Sequence, residues 1–319
     1  MLPIHFAPLQ GYTEAPYRTI HQQVCGGIET YYTPFIRLEH GQIRKKDFRE
    51  ALPEVNKDVP VVPQVIASSA DEFRILCMKL VETGHHRIDI NMGCPFPLQT
   101  RLGRGSGIWQ YPDRVEAILK EARSFHDLQH VDFSLKMRLG QESADESLTL
   151  LPVLNETPLL HIALHPRVGQ QQYKGDLLLD SFQLFYEKSV NPLIYNGELK
   201  SVDEMIAIEQ RFPKLVGLMV GRGLLSRPTL AKEYQIACQC NNQSQSTLSD
   251  DEVRKTVLQM HRMLFEYYKQ HIEGGDAQLL QKMHSFWDYM EPLFGHKIVK
   301  KILKSGSLRN YQEATANAK

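Results

Sequence analysis

Cysteine is scarce in this chain and never arranged for a metal knuckle. Its five cysteines (Cys25, Cys77, Cys94, Cys238, Cys240) are an odd number and form no CxxC pair. A disulfide framework is therefore not expected, nor is a structural metal, and the chain reads as reduced and cytoplasmic. Long apolar runs are missing, so no membrane span is expected. The first residues, "MLPIHFAPLQ", have neither a basic segment nor a long apolar segment, which argues against a secretory leader. Net charge is missing too: 37 Lys and Arg balance 37 Asp and Glu. Without a global basic field, DNA is not an expected partner. Internal repeats and low-complexity blocks are absent, and no GxGxxG follows the first apolar stretch, which disfavours an open doubly wound sheet.

What is present is a rhythm. Eight short apolar stretches recur between Ile4 and Leu225: "PIHFAPLQG", "TYYTPFIRL", "VPVVPQVIA", "HRIDINMGCP", "DFSLKMRLG", "LLHIALHPR", "NPLIYNGEL" and "VGLMVGRGLL". Helical patterns lie between several of them. "SADEFRILCMKLVETG" opens at Ser69 as a cap, keeps apolar residues at helical spacing and stops at Gly84. Strands alternating with helices imply parallel βαβ units, and eight of them predict an α/β fold, a (β/α)8 TIM barrel over residues 1–240. The polar stretch "CQCNNQSQSTLSDDE" then reads as a linker. Residues 247–319 read as a small all-helical C-terminal domain, started by Asp250 and Asp251. Its last part carries Lys297, Lys300, Lys301, Lys304 and Arg309 with no acid between them. That run is either a solvated helix face or an RNA-backbone contact.

The strand ends carry the polar residues. In such a barrel the chemistry sits on the C-terminal rim, and the last two loops often grip a phosphate. Those loops are "YNGELKS" and "VGRGLLS", where Gly197, Gly221 and Gly223 permit close backbone approach and Arg222 offers a charge. In "RIDINMGCPFP" a thiol, Cys94, follows a strand and precedes Pro95. It is either a small buried hydrophobe or a proton donor at the mouth of an active site. Lys136 lies in the mostly apolar "SLKMRLG" and must face either a charge or a solvated rim.

Taken together, "APLQGYTEAPYR", "DINMGCP", "SLKMRLG", "YNGE" and "VGRG" resemble the tRNA-dihydrouridine synthases, over the whole chain. "NMGCP" is the most specific element, and the "NGE" triplet with the overall length is nearest to the bacterial branch acting at tRNA position 16. The resemblance implies an enzyme that holds FMN, takes electrons from NADPH and reduces the C5–C6 bond of a uridine in folded tRNA. Hydride would go from flavin N5 to C6, and Cys94 would protonate C5. By the same resemblance Lys136 faces the reduced flavin, and His165 contacts the flavin or its phosphate region. Asn196, Gly197 and Glu198 form a cofactor-contact triplet, Gly221 and Arg222 a phosphate pair. Pro8 and Leu9, with Gln10 beside them, lie beneath the ring, and Gln64 contacts it. Asn91 reads the uracil edge, Tyr173 stands beside the base, and Lys174 and Arg101 meet the RNA. The helical segment would bind tRNA. Two departures from the family pattern stand out: Pro166 and Val168 replace the usual Gly and Thr around "HPR", and Arg104–Gly105–Ser106–Gly107 replaces a run of small residues. An FMN barrel reducing a small molecule, a uridine reductase acting on ribosomal RNA, and a binding module without turnover stay open as alternatives. A monomer is expected.

Overall fold

The structure, a computed structural model, describes residues 1–240 and 248–318. The expected linker "CQCNNQSQSTLSDDE" falls partly outside the described residues, and its Cys238 and Gln239 belong to the preceding helix.

Eight strands form one parallel ring: β1 (Ile4–Phe6), β2 (Thr30–Tyr32), β3 (Val61–Val62 with Gln64–Val65), β4 (Arg87–Met92), β5 (Asp132–Gly140), β6 (Leu159–Val168), β7 (Leu193–Tyr195) and β8 (Gly217–Val220). Each pairs with its successor, and β8 returns to β1 through Ile4 opposite Leu218. The ring is interrupted only within β3, where Pro63 has no N–H to donate, so its two halves pair separately with β2 and β4. All eight strands are the apolar stretches legible in the sequence. Short strands suffice here because the parallel sheet is buried beneath helices.

The period of two along the strands separates two faces. Phe6 and Tyr31 point outward onto α1 (Ala15–Val24), where they meet Tyr17 and His21. Ala7, Tyr32, Ala163, Ile194 and Met219 form a separate inner group. A polar plug joins it, in which Tyr32 Oη lies 3.0 Å from both His5 Nδ1 and His161 Nε2. Burial lowers His5 to about 3 and His161 to about 4, so both rings are neutral in the barrel interior.

Helix α2 (Ala70–Glu82) starts where its cap was expected: Ser69 Oγ accepts the Glu72 N–H, and the chain leaves through Gly84 at φ +88°. After the barrel come α3 (Asp250–His271), α4 (Gly275–Trp287), α5 (His296–Leu303) and α6 (Leu308–Ala316). Helix α3 begins at Asp250 behind a Ser249–Glu252 capping box. It packs on α1, with Cys25 Sγ 3.4 Å from Met260 Sδ, and the hydrophobic core runs unbroken from barrel to helices. No helix among the described residues is long and apolar enough to cross a membrane.

Candidate functional site

The C-terminal strand ends converge on one cavity of about 940 Å³. Pro8, Leu9 and Gln10 line it after β1, Gln64 on β3, Asn91 on β4 and Cys94 just after it. Lys136 lines it from β5, His165 from β6, Asn196, Gly197 and Glu198 after β7, and Gly221 and Arg222 after β8; Tyr173 stands at the mouth. Arg101 and Lys174 are not among the lining residues. Both are exposed, Arg101 at the end of the short helix Pro97–Thr100 and Lys174 beside Tyr173.

Cys94 is held by a tight turn. Asn91 Oδ1 accepts the N–H of Gly93 at 3.1 Å and of Cys94 at 2.9 Å. Glycine suits position 93, because a Cβ there would lie 3.0 Å from the Met137 carbonyl carbon of β5, a tight contact with backbone. The Cys94 carbonyl accepts from the Ser106 amide and hydroxyl. Burial pushes the thiol up, against the opposing pull of the Phe96 amide, Lys136 and Arg138. The group is therefore a protonated thiol at neutral pH, suited to donate a proton rather than to attack.

Lys136 stands opposite Asn91 in the β4–β5 register. Burial, then the charge of Arg138, lowers its ammonium from 10.5 to about 8. Arg138 is a brace: it donates to the carbonyls of Gly93 at 3.1 Å and Val168 at 3.0 Å, tying three strand tips together. The ring of Tyr173, 46% exposed, lies within cation–π distance of the guanidinium groups of Arg138 at 5.2 Å and Arg222 at 4.2 Å.

The β6, β7 and β8 tips form a cationic shelf. Glu198, at φ +44°, pairs with Arg167 at 2.7 Å, Arg222 at 2.5 Å and Lys200 at 3.0 Å. Burial alone would raise this carboxyl, but its hydrogen bonds to Arg167 and Lys200 and the Arg222 charge outweigh it and lower it to about 2. Its carboxylate thus aims Arg222. Asn196 Nδ2 donates to Met219 O at 2.7 Å and locks β7 to β8. His165 lies among Arg138, Lys136, Arg167 and Arg222. Burial and then those charges hold it far below its ordinary value, and its Nδ1 is buried without a partner.

Both departures from the family pattern have a place in the packing. Pro166 sits against Gly197, where a Cβ would lie 3.1 Å from its Cδ. Arg104 turns away from the cavity and forks onto Glu72 of α2 at 2.5 and 3.2 Å. Gly105, at φ +59°, passes so close beneath Cys94 that a Cβ would lie 2.4 Å from its carbonyl oxygen.

Sequence reasoning missed several residues. Asp89 is fully buried and accepts from Gln64 Nε2 at 2.6 Å and Ser134 Oγ at 2.5 Å. In the sequence it reads as the polar partner of Ile88 and Ile90 in an alternating strand, with nothing to mark it as buried. Arg37 and Phe35 line the cavity after β2, and Tyr289 reaches it from the helical segment, where Tyr12 stacks edge-on at 5.4 Å. No local pattern announces Tyr289; only the docking of the helices brings it there.

Known proteins resemble this chain in sequence and in fold. A family model described as dihydrouridine synthase (Dus) matches residues 5–317. The tRNA-dihydrouridine(16) synthase of Neisseria meningitidis serogroup A is 26% identical over 238 residues, 73% of this chain and 71% of that protein. The tRNA-dihydrouridine synthase B of Escherichia coli K12 is 28% identical over 232 residues, 72% of this chain and 70% of that protein. Among solved structures, morphinone reductase superposes with a TM-score of 0.53 at 8% identity, over 74% of this chain and 86% of its own. The old yellow enzyme of Trypanosoma cruzi gives 0.52 at 11% identity, over 73% and 87%. Those two likenesses speak for the barrel fold.

Proposed function

Because this chain belongs to the dihydrouridine synthase family, we propose that it reduces the C5–C6 bond of a uridine in tRNA, with Cys94 as the acid that protonates C5. The observation that carries this reading is a protonated thiol and a cation from neighbouring strands, Cys94 just after β4 and Lys136 within β5, facing one cavity beside the cationic shelf.

The residues fit FMN as the resident cofactor. The cavity is large enough for a nucleotide-sized ligand. His165 Nδ1 awaits a partner, Lys136 and Arg222 supply positive charge, and Gly221 lines the cavity without a side chain, where a Cβ would lie 3.3 Å from Ala7 Cβ and 3.6 Å from Leu9 Cδ1. Arg222 and Gly221 would hold the phosphate; Gln64, Lys136, Asn196, Gly197 and His165 would hold the ring system, with Pro8 and Leu9 beneath it. Glu198 would act by aiming Arg222. Bound FMN would supply the hydride for C6, with NADPH as the source of the electron pair. The Lys136 ammonium would favour negative charge on the reduced cofactor electrostatically. Asn91 and Tyr173 would orient the base, which must leave its stack to enter. Arg101 and Lys174, exposed and outside the cavity lining, would meet phosphates of the RNA rather than the base. Helices α3–α6 would carry the tRNA-binding surface of a monomeric cytoplasmic enzyme. Position 16 is the proposed target, in line with the name of the Neisseria relative.

Mass-spectrometric mapping of dihydrouridine in RNA from cells lacking the gene tests this. Loss at one tRNA position, restored by the intact gene, is expected; an unchanged tRNA profile overturns the proposal. Cys94→Ala should retain yellow colour and lose about 100-fold or more in rate, as expected for removal of a general acid.

A further inference from the structure

Between Asp89 and Cys94 runs a directed chain of hydrogen bonds. Asp89 Oδ2 accepts from Gln64 Nε2 at 2.6 Å, and Gln64 Oε1 accepts from Asn91 Nδ2 at 2.7 Å. Asn91 Oδ1 in turn accepts from the amides of Gly93 and Cys94. The two amide side chains could each be turned over in isolation, but the ends of the chain forbid it. At one end is a carboxylate that also accepts from Ser134 Oγ. At the other are two backbone N–H groups that can only donate. Only one orientation of Gln64 and Asn91 satisfies both ends.

We propose that Asp89 is a positioning residue of the reaction: through Gln64 it fixes Asn91 with its carbonyl on the Cys94 turn and its remaining N–H toward the cavity. This rests on the uridine-reductase reading and deepens it. Both lone pairs of Asn91 Oδ1 are taken by the turn, so toward the substrate Asn91 is a donor only. The site therefore takes a ring that presents a carbonyl oxygen at that point and disfavours one that presents an amino group there. The same contact holds the thiol in place, so base recognition and acid placement share one anchor. Asp89 itself is not among the residues lining the cavity and touches no substrate.

The test separates the acceptor role of Asp89 from its charge. Asp89→Asn keeps an acceptor, since its Oδ1 can face Gln64 while its Nδ2 donates to Ser134. Asp89→Val has no acceptor. Alkylation of Cys94 by iodoacetamide, followed on the Cys94 peptide by mass spectrometry in flavin-free protein, reads the turn without reading turnover. Both variants lose the charge, so their ratio reports the acceptor alone. Cys94 in Asp89→Val should react about tenfold faster than in Asp89→Asn, as expected when a buried donor loses its partner and the chain is freed. Dihydrouridine formation should fall in parallel in Asp89→Val, chiefly in kcat, and be rescued in Asp89→Asn. Equal reactivity in the two folded variants overturns the relay. If Asp89→Val does not fold, Gln64→Met breaks the same chain one link later and should free Cys94 equally; wild-type reactivity there also overturns it. Because alkylation does not depend on which RNA is reduced, a failed relay and a failed substrate assignment give different results.

Discussion

Lys136 and Cys94 are shifted in opposite directions by the same cause, and the sign of each has a consequence. Burial keeps the thiol protonated and makes the ammonium easier to lose. A cation whose folded pKa lies below its unfolded one costs stability at all pH values below the folded pKa. That cost fades as pH rises toward the unfolded value. Relative to Lys136→Met, the flavin-free protein should therefore gain stability between about pH 8 and 10. An anionic ligand beside Lys136 reverses the shift. Flavin binding at about pH 9 should then take up close to one proton, visible by calorimetry in two buffers of different ionisation enthalpy, and Lys136→Met should abolish the uptake. Both residues were legible in the sequence, Cys94 because it follows a strand at a Gly–Cys–Pro break and Lys136 because it interrupts an apolar strand; the strand end expected at Lys136 is its midpoint, since β5 runs on to Gly140. Asp89 was not: its neighbours Ile88 and Ile90 alternate with it as in any half-buried strand, and only the closed barrel shows that both faces are buried.

At the scale of elements, the eight strands and the major helix caps could be read off because local chemistry decides them: strand period, a serine cap, a glycine stop. The segment Arg104–Gly107 could not, since its role depends on what lies above it. It passes under the cysteine turn as a support, with Arg104 clamped to α2 and Ser106 bonded to the Cys94 carbonyl. Gly105 is the critical point of that support. A methyl group there would meet Cys94 O at 2.4 Å and Cys94 Cβ at 2.9 Å, at φ +59° where side chains are strained. Gly105→Ala should lower stability by on the order of 2–4 kcal/mol in urea unfolding. It should also displace the thiol, so that residual folded enzyme shows a reduced kcat. A variant with wild-type stability and rate would show that the turn yields without cost.

For the whole molecule, the helical segment docks so that it completes the cavity mouth instead of standing apart from it. Tyr12 Oη donates to Asp288 at 3.0 Å, Glu14 pairs with Lys282, and Tyr289 enters the cavity lining. This placement was invisible in the sequence because residues nearly the whole chain apart make it. The same docking leaves α5 and its flank with Lys297, Lys300, Lys301, Lys304 and Arg309 exposed, on a protein of zero net charge. A neutral enzyme that must seize a polyanion needs its cations gathered in one place, since screening removes the contribution of dispersed ones within about 10 Å. If this patch grips tRNA phosphates, each lost contact lowers the slope of log affinity against log salt by about 0.7–0.9. Replacing Lys297, Lys300, Lys301 and Lys304 with Gln should thus flatten the slope by about three units and weaken binding at low salt. The melting temperature should not move, because all four side chains are exposed. An unchanged salt slope would make these lysines a solvated face and move the RNA contact elsewhere on the rim.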